Sequence, residues 1–216
     1  MIARRGLLAG GTALAAASPI CVAASPAPPD LRFEVLRNDT RIGHHVIRFR
    51  QEGTALEATI DVNIAVRVGP IVLYRYTLQA RETWRDGAFQ SLESQANDDG
   101  THHTVRAART EESIIVEASA APRAILPPNA IPLTHWNNLC MERPLFNPQD
   151  GAPIASRVLT RGEEAVPLAD GRAIRATRFS LIGKVALDDW YDMTRIWTAL
   201  RAPGRDGSTI EYRRTT

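Results

Sequence analysis

"EATIDVNIAVRVGPIVLYRYTLQARETW", residues 57–84, is the stretch that decides the fold. In its first half Ala58, Ile60, Val62, Ile64, Val66 and Val68 fall on one side. Glu57, Thr59, Asp61, Asn63 and Arg67 fall on the other. Successive side chains of a strand point to opposite faces, so strict period-two alternation at this length specifies a half-buried strand and excludes an amphipathic helix. Gly69-Pro70 breaks the run. Alternation then resumes, with Val72, Tyr74, Tyr76, Leu78 and Ala80 set against Arg75, Thr77, Gln79 and Arg81. Two long strands joined by a Gly-Pro turn make a hairpin.

Working outward, Asp-Gly recurs at 86–87, 99–100, 150–151, 170–171 and 206–207, each time between stretches of strand character. Gly supplies the positive φ of tight hairpin turns, so these five marks point to an antiparallel meander. Strands are expected at about 31–37, 41–51, 55–68, 71–84, 88–96, 102–109, 113–119, 155–167, 172–182, 185–191, 195–201 and 208–214. Residues 121–150, "APRAILPPNAIPLTHWNNLCMERPLFNPQD", are proline-rich and lack alternation. Thr134 is placed to cap a short helix over about 135–142, which Pro144 stops. That many strands curl an open sheet, and few helices are present to cover its buried side. The expectation is therefore an all-β domain over 31–216: one strongly curved antiparallel meander, open or closed like a barrel, with one short helix and a proline-rich lid over 121–150.

The N-terminus, "MIARRGLLAGGTALAAASPICVAASPAPP", has a basic start, an Ala/Gly/Leu-rich run and small residues at Val22-Ala23-Ala24. This is the pattern of an export signal over 1–24, cleaved near Ala24, with 25–30 as a flexible lead-in. Arg4-Arg5 with Gly6-Leu7-Leu8 partly matches the twin-arginine motif, and ordinary secretory export fits as well. The destination is the periplasm or the exterior. The apolar run is too weak to span a bilayer, and no later segment reaches spanning length.

Of 26 basic residues Arg4 and Arg5 lie in the leader, so the mature chain sets 24 basic against 24 acidic residues. With no basic cluster interleaved with aromatics, nucleic acid is excluded as a partner. Cys140 is the single cysteine left after cleavage, so no internal disulfide supports the fold and burial must do so alone.

Residues with chemical capacity are few. Asp188, Trp190 and Asp192 share one face of a strand over 185–192, and two carboxylates flanking an aromatic suit glycoside hydrolysis. The plainer reading has Asp192 opening the turn "DMTR" and Trp190 packing. Trp190, Tyr191 and Tyr212 are expected to close the core, with Trp197 and Tyr212 paired across neighbouring strands. His44-His45 and His102-His103 point to opposite faces within each pair, so a metal site would need His45 and His103 together with Asp98 or Asp99. Cys140 and His135, five apart on one helix, are poorly placed to act as nucleophile and base, and a buried inert thiol is expected. There is no G-x-S-x-G, phosphate loop or dinucleotide fingerprint, so no cofactor is expected.

"RIGHHVIRF", "YRYTLQARETWRDG", "LTHWN" and "DDWYD…RDGSTIEY" together resemble a proteobacterial family of exported proteins known as a domain of unknown function. The resemblance spans most of the mature chain and brings no catalytic residues with it. More distantly, the glycine early in a strand and the aromatic–Asp turn are similar to periplasmic lipoprotein carriers of the LolA/LolB type. That resemblance implies a curved sheet around an apolar cavity, here with Ile60, Val62, Ile64, Tyr74, Tyr76 and Trp136 as its lining. The expected function is a non-enzymatic carrier of an apolar small molecule or lipid. An envelope assembly factor, or a hydrolase using Asp188 and Asp192, are the alternatives. Oligomeric state is left open.

Overall fold

The computed structural model describes residues 27–215. The export signal over 1–24 and the start of the lead-in lie outside the described residues. The chain forms β1 (Leu31–Arg37), β2 (Thr40–Glu52), β3 (Ala55–Val68), β4 (Ile71–Arg85), β5 (Ala88–Asp98), β6 (Thr101–Arg109), β7 (Ile114–Ala118) and β8 (Ala124–Leu126). After a long connection come β12 (Ser156–Pro167), β13 (Ala173–Gly183), β14 (Leu187–Asp192), β15 (Trp197–Pro203) and β16 (Thr209–Arg214). These thirteen strands make one sheet, ordered β12-β13-β14-β15-β16-β1-β2-β3-β4-β5-β6-β7-β8.

Every pairing in that sheet is antiparallel, and β1 joins the last strand to the second. Turn chemistry sets the register. Asp86-Gly87 and Asp99-Gly100 have positive φ at both positions, as a two-residue hairpin turn of the right twist requires. Gly43 answers a different demand. A Cβ there would lie 2.0 Å from the Asn63 carbonyl oxygen, so only glycine lets β2 approach β3 at that point.

The sheet curls until the β15–β16 turn reaches β5. Arg205, in the β15–β16 turn, ion-pairs with Asp98 of β5 at 3.1 Å. Five strand steps separate β16 from β5, roughly 24 Å in a flat sheet. The edges β12 and β8 do not pair, so the barrel stays open. Ile60, Val62 and Ile64 point into the dry concave side, as the alternation requires.

The connection between β8 and β12 covers the cradle by filling it. It contributes β9 (Ile131–Pro132), β10 (Leu145–Phe146) and β11 (Pro153–Ile154), a small second sheet whose central strand is β10. Phe146 meets Phe89 of β5, and Trp136 meets both Trp84 of β4 and Phe49 of β2. Gly151 presses on β7, where an added Cβ would come within 2.5 Å of Ala118 Cβ. Each large apolar side chain buried this way contributes roughly 1.5–3 kcal/mol, which anchors a segment with little regular structure.

Two expectations are corrected here. The helix expected over 135–142 with Thr134 as its cap is a single 3-10 turn, Asn138–Met141, capped by the Asn137 side chain accepting from Leu139 N. Two flanking anchors, Trp136 and Leu145, fix the chain into the core and leave room for one turn. Trp190 does not close the main core with Tyr191 and Tyr212. It sits in a separate cluster with Val166, Ala176 and Ala199 on the other face, held between Arg178 and Arg201. Tyr191 does pack in the main core, and Tyr212 pairs with Trp197 at 6.0 Å between ring centroids.

Candidate functional site

Polar groups have been drawn into the plugged end of this barrel. Glu82 is on β4, two residues past Ala80 on the inward face, and is fully buried. Its Oε2 accepts the indole N–H of Trp84 at 2.8 Å and of Trp136 at 3.2 Å. Desolvation raises the Glu82 carboxyl to about 7, against the lowering effect of hydrogen bonds from Thr134 and the two indoles. One carboxylate oxygen thus ties the plug to the sheet.

Asp189, fully buried on β14, makes the second tie. Its Oδ1 accepts from Trp197 Nε1 at 2.9 Å, and its Oδ2 lies 2.8 Å from His135 Nδ1. His135 belongs to the plug, stacks on the Trp197 ring, and adopts φ 68. That left-handed backbone is uncommon outside glycine and persists only where surroundings enforce it. Asp189 fixes the ring, and the Tyr191 hydroxyl donates to the His135 carbonyl at 2.7 Å.

His45 of β2 faces the same interior. It lies edge-on to Trp197 and Tyr212, and its Nε2 has no hydrogen-bond partner. Burial lowers it to about 3, with the charges of His135 and His44 acting the same way, so it is a neutral ring at physiological pH.

A crevice of about 400 Å³ opens beside this cluster at the rim. Leu31, Phe49, Trp136 and Ile196 supply its apolar surface, while Asn137, Asn138, Thr194 and Arg195 supply polar groups. The lead-in residues Pro28 and Pro29 form one wall. His135 sits next to the Trp136 and Asn137 of this lining, with its side chain 15% exposed.

The residues singled out from the sequence are scattered by comparison. Asp188 faces the outer surface, bound by Arg178 and Ser180. Asp192 serves its own turn, accepting from Thr194 and Ile196 N, with Arg214 nearby. Desolvation pushes the Asp192 carboxyl up, but these hydrogen bonds prevail and hold it below the usual range. The two acids do not share a concavity.

His45 and His103 do fall on one register row, through Val62, Leu78 and Ala96, but His103 is four strands away on β6. Among the described residues no group of three or more His, Cys, Asp or Glu is placed to hold a metal. Tyr74 donates to Asp98 at the far end of the barrel, and Tyr76 is partly buried against the core. Of the expected cavity lining, Trp136 alone reaches the crevice; Ile60, Val62 and Ile64 are core residues.

A histidine oriented by a buried carboxylate is the base half of a nucleophile–base pair. The other half is missing among the described residues, where no hydroxyl or thiol bonds to the His135 ring. Cys140 is buried and engages the Tyr191 hydroxyl at 3.1 Å, and desolvation pushes its thiol well up.

Sequence reasoning passed over Glu82 and Asp189, yet both carried a signal. Glu82 extends the even-numbered inward run of β4 and Asp189 the odd-numbered run through Leu187 and Tyr191, so each is an acid on an apolar face.

No curated protein matches the chain. Among solved structures it is similar to a beta-barrel-like protein of the domain of unknown function DUF1849 from Brucella abortus. The TM-score is 0.61 at 10% identity, over 90% of this chain and 98% of that one, a likeness of fold alone. The model of the domain of unknown function DUF6134 matches residues 33–215, from the first inward phenylalanine to the end of the last strand, and the chain belongs to that family.

Proposed function

We propose that this protein is an exported, non-enzymatic binding protein of the bacterial periplasm that holds an apolar or amphipathic small molecule in the rim crevice. The observation that carries the reading is the crevice itself. Its volume of about 400 Å³ lies within the range of small-molecule sites, and its lining joins apolar side chains to a few polar groups. The leader pattern over 1–24 supports the compartment, and the curved cradle supports the likeness to LolA/LolB-type carriers. This cradle differs in being filled by its own chain, so the ligand site moves from the interior to the rim.

The test is a titration with a dansylated fatty acid, read by probe emission and by quenching of tryptophan fluorescence. Saturable binding is expected. Thr194→Trp, which adds bulk to an exposed turn lining the crevice, should weaken it at least about tenfold while leaving the melting temperature unchanged. Absence of saturable binding, or equal binding by the variant, overturns the proposal.

A further inference from the structure

The longest hairpin carries a feature that neither the core nor the crevice uses. The pairing of β2 with β3 begins at Gly43–Ile64, and that of β5 with β4 ends at Asp98–Tyr76. Residues 65–75 are therefore a two-stranded ribbon with no strand hydrogen-bonded on either side. Five residues per arm carry it roughly 17 Å past its last pairing with β2. Its tip exposes Val68, Ile71 and Leu73 at 62%, 61% and 58%. They are half of the six large apolar residues most exposed among those described, gathered on one turn.

The charge on the ribbon has one sign. No acidic residue occurs between Asp61 and Glu82, while Arg67 and Arg75 flank the apolar tip. Both arginines are exposed, and neither forms an ion pair among the described residues. Of the nearby acids, Asp98 is already held by Arg205, Tyr74 and Gln149, and Asp99 caps the Arg75 backbone.

We infer that the 65–75 ribbon is a membrane-docking finger that inserts Val68, Ile71 and Leu73 into an anionic lipid surface while Arg67 and Arg75 engage the headgroups. Exposed aliphatic groups at a convex tip gain by entering the acyl boundary, and each arginine near an anionic surface adds attraction that salt screens. A convex finger also suits a bilayer, which yields around it. The finger stands at the end of the barrel opposite the crevice, so docking leaves the crevice mouth free. This inference does not depend on the crevice holding a ligand.

Residues 25–216, which contain every buried core side chain among the described residues, suit the test. Co-sedimentation would be measured with vesicles of phosphatidylglycerol and phosphatidylethanolamine, and with phosphatidylcholine vesicles as the neutral control. The unmodified protein should bind the anionic vesicles, and less so in high salt. The Val68→Ser, Ile71→Ser, Leu73→Ser triple variant should lose at least about tenfold in affinity with an unchanged circular dichroism spectrum. Arg67→Glu with Arg75→Glu should abolish the preference for anionic lipid. Failure of the unmodified protein to bind either vesicle overturns the inference. So does equal binding by the triple variant, or an elution profile showing that the tips instead pair two copies of the chain.

Discussion

At the plugged end of the barrel, Glu82, Asp189 and His45 are shut away from water among tryptophans. At the opposite end, Val68, Ile71 and Leu73 stand in it. Burying a polar group costs free energy unless it is hydrogen-bonded, and exposing apolar surface forgoes the gain of burial. The two ends handle these costs differently. The buried acids recover part of theirs locally, because Glu82 accepts two indole N–H groups and Asp189 one, each of which would otherwise be unpaired. The exposed aliphatics have no recovery within the chain, which points outward to a partner. Polar groups inside explain how the plug is held, and apolar groups outside explain what the molecule touches.

The sharpest way to break this contrast is to remove Asp189. Asp189→Ala leaves Trp197 Nε1 and His135 Nδ1 facing each other without an acceptor in a dry interior. Breaking a buried pair from one side costs roughly 3–5 kcal/mol, about 10 °C of melting temperature for a domain of this size. A denaturant titration followed by circular dichroism gives the number. A loss under about 1 kcal/mol would show that the plug is held by apolar packing alone.

The pH dependence comes next. Glu82 titrates at about 7 in the folded chain, above its ordinary value, so the folded state holds an extra proton between that ordinary value and 7. Stability from this group is therefore full in acid and falls as pH rises through 7. His45 acts in the opposite sense. Its folded value of about 3 lies below the ordinary one, so stability is lost as pH falls from about 6.5 toward 3. In the overlap the two nearly offset each other. Glu82→Gln removes one side of the balance while keeping an acceptor for both indoles. The variant should match the unmodified protein near pH 4.5 and exceed it by about 2–3 kcal/mol at pH 8. A constant difference across that range would mean that Glu82 is not desolvated.

How much of this was legible in the sequence follows from the same physics. The long strands were, because period-two alternation and Asp-Gly turns are local signals: β1 and β3 fall at the expected bounds, Leu31–Arg37 and Ala55–Val68. The short strands of the plug were not. Phe146 is placed by Phe89, and Trp136 between the strands by Trp84 and Phe49, all far away in sequence, and two-residue strands such as Ile131–Pro132 and Leu145–Phe146 show no period. The candidate site was half legible. Paired carboxylates single out Asp188 and Asp192, but Asp188 is bound by Arg178 and Ser180 and Asp192 serves its own turn, while Asp189 between them enters the core. Carrying the alternation one step further, and asking why an acid stands on an apolar row, would have flagged both Glu82 and Asp189. His135 gave no such sign, since its place depends on a plug that the sequence does not pattern.

The smallest expected effect lies at the other end. If Val68, Ile71 and Leu73 touch nothing within the fold, changing all three to serine should alter global stability by no more than about 0.5 kcal/mol, the usual range for exposed positions. Ile64→Ser, on the same strand but inside the sheet, should cost several times as much, since it removes a buried apolar side chain and adds an unpartnered hydroxyl. Val68 lies four positions after Ile64, and between them the strand passes from being paired on both sides to being paired with β4 alone. Measuring both variants in one denaturant series locates that boundary energetically. A triple variant that destabilised as much as Ile64→Ser would place the ribbon within the folded core's cooperative unit, and its apolar tip would then need a partner inside the chain rather than beyond it.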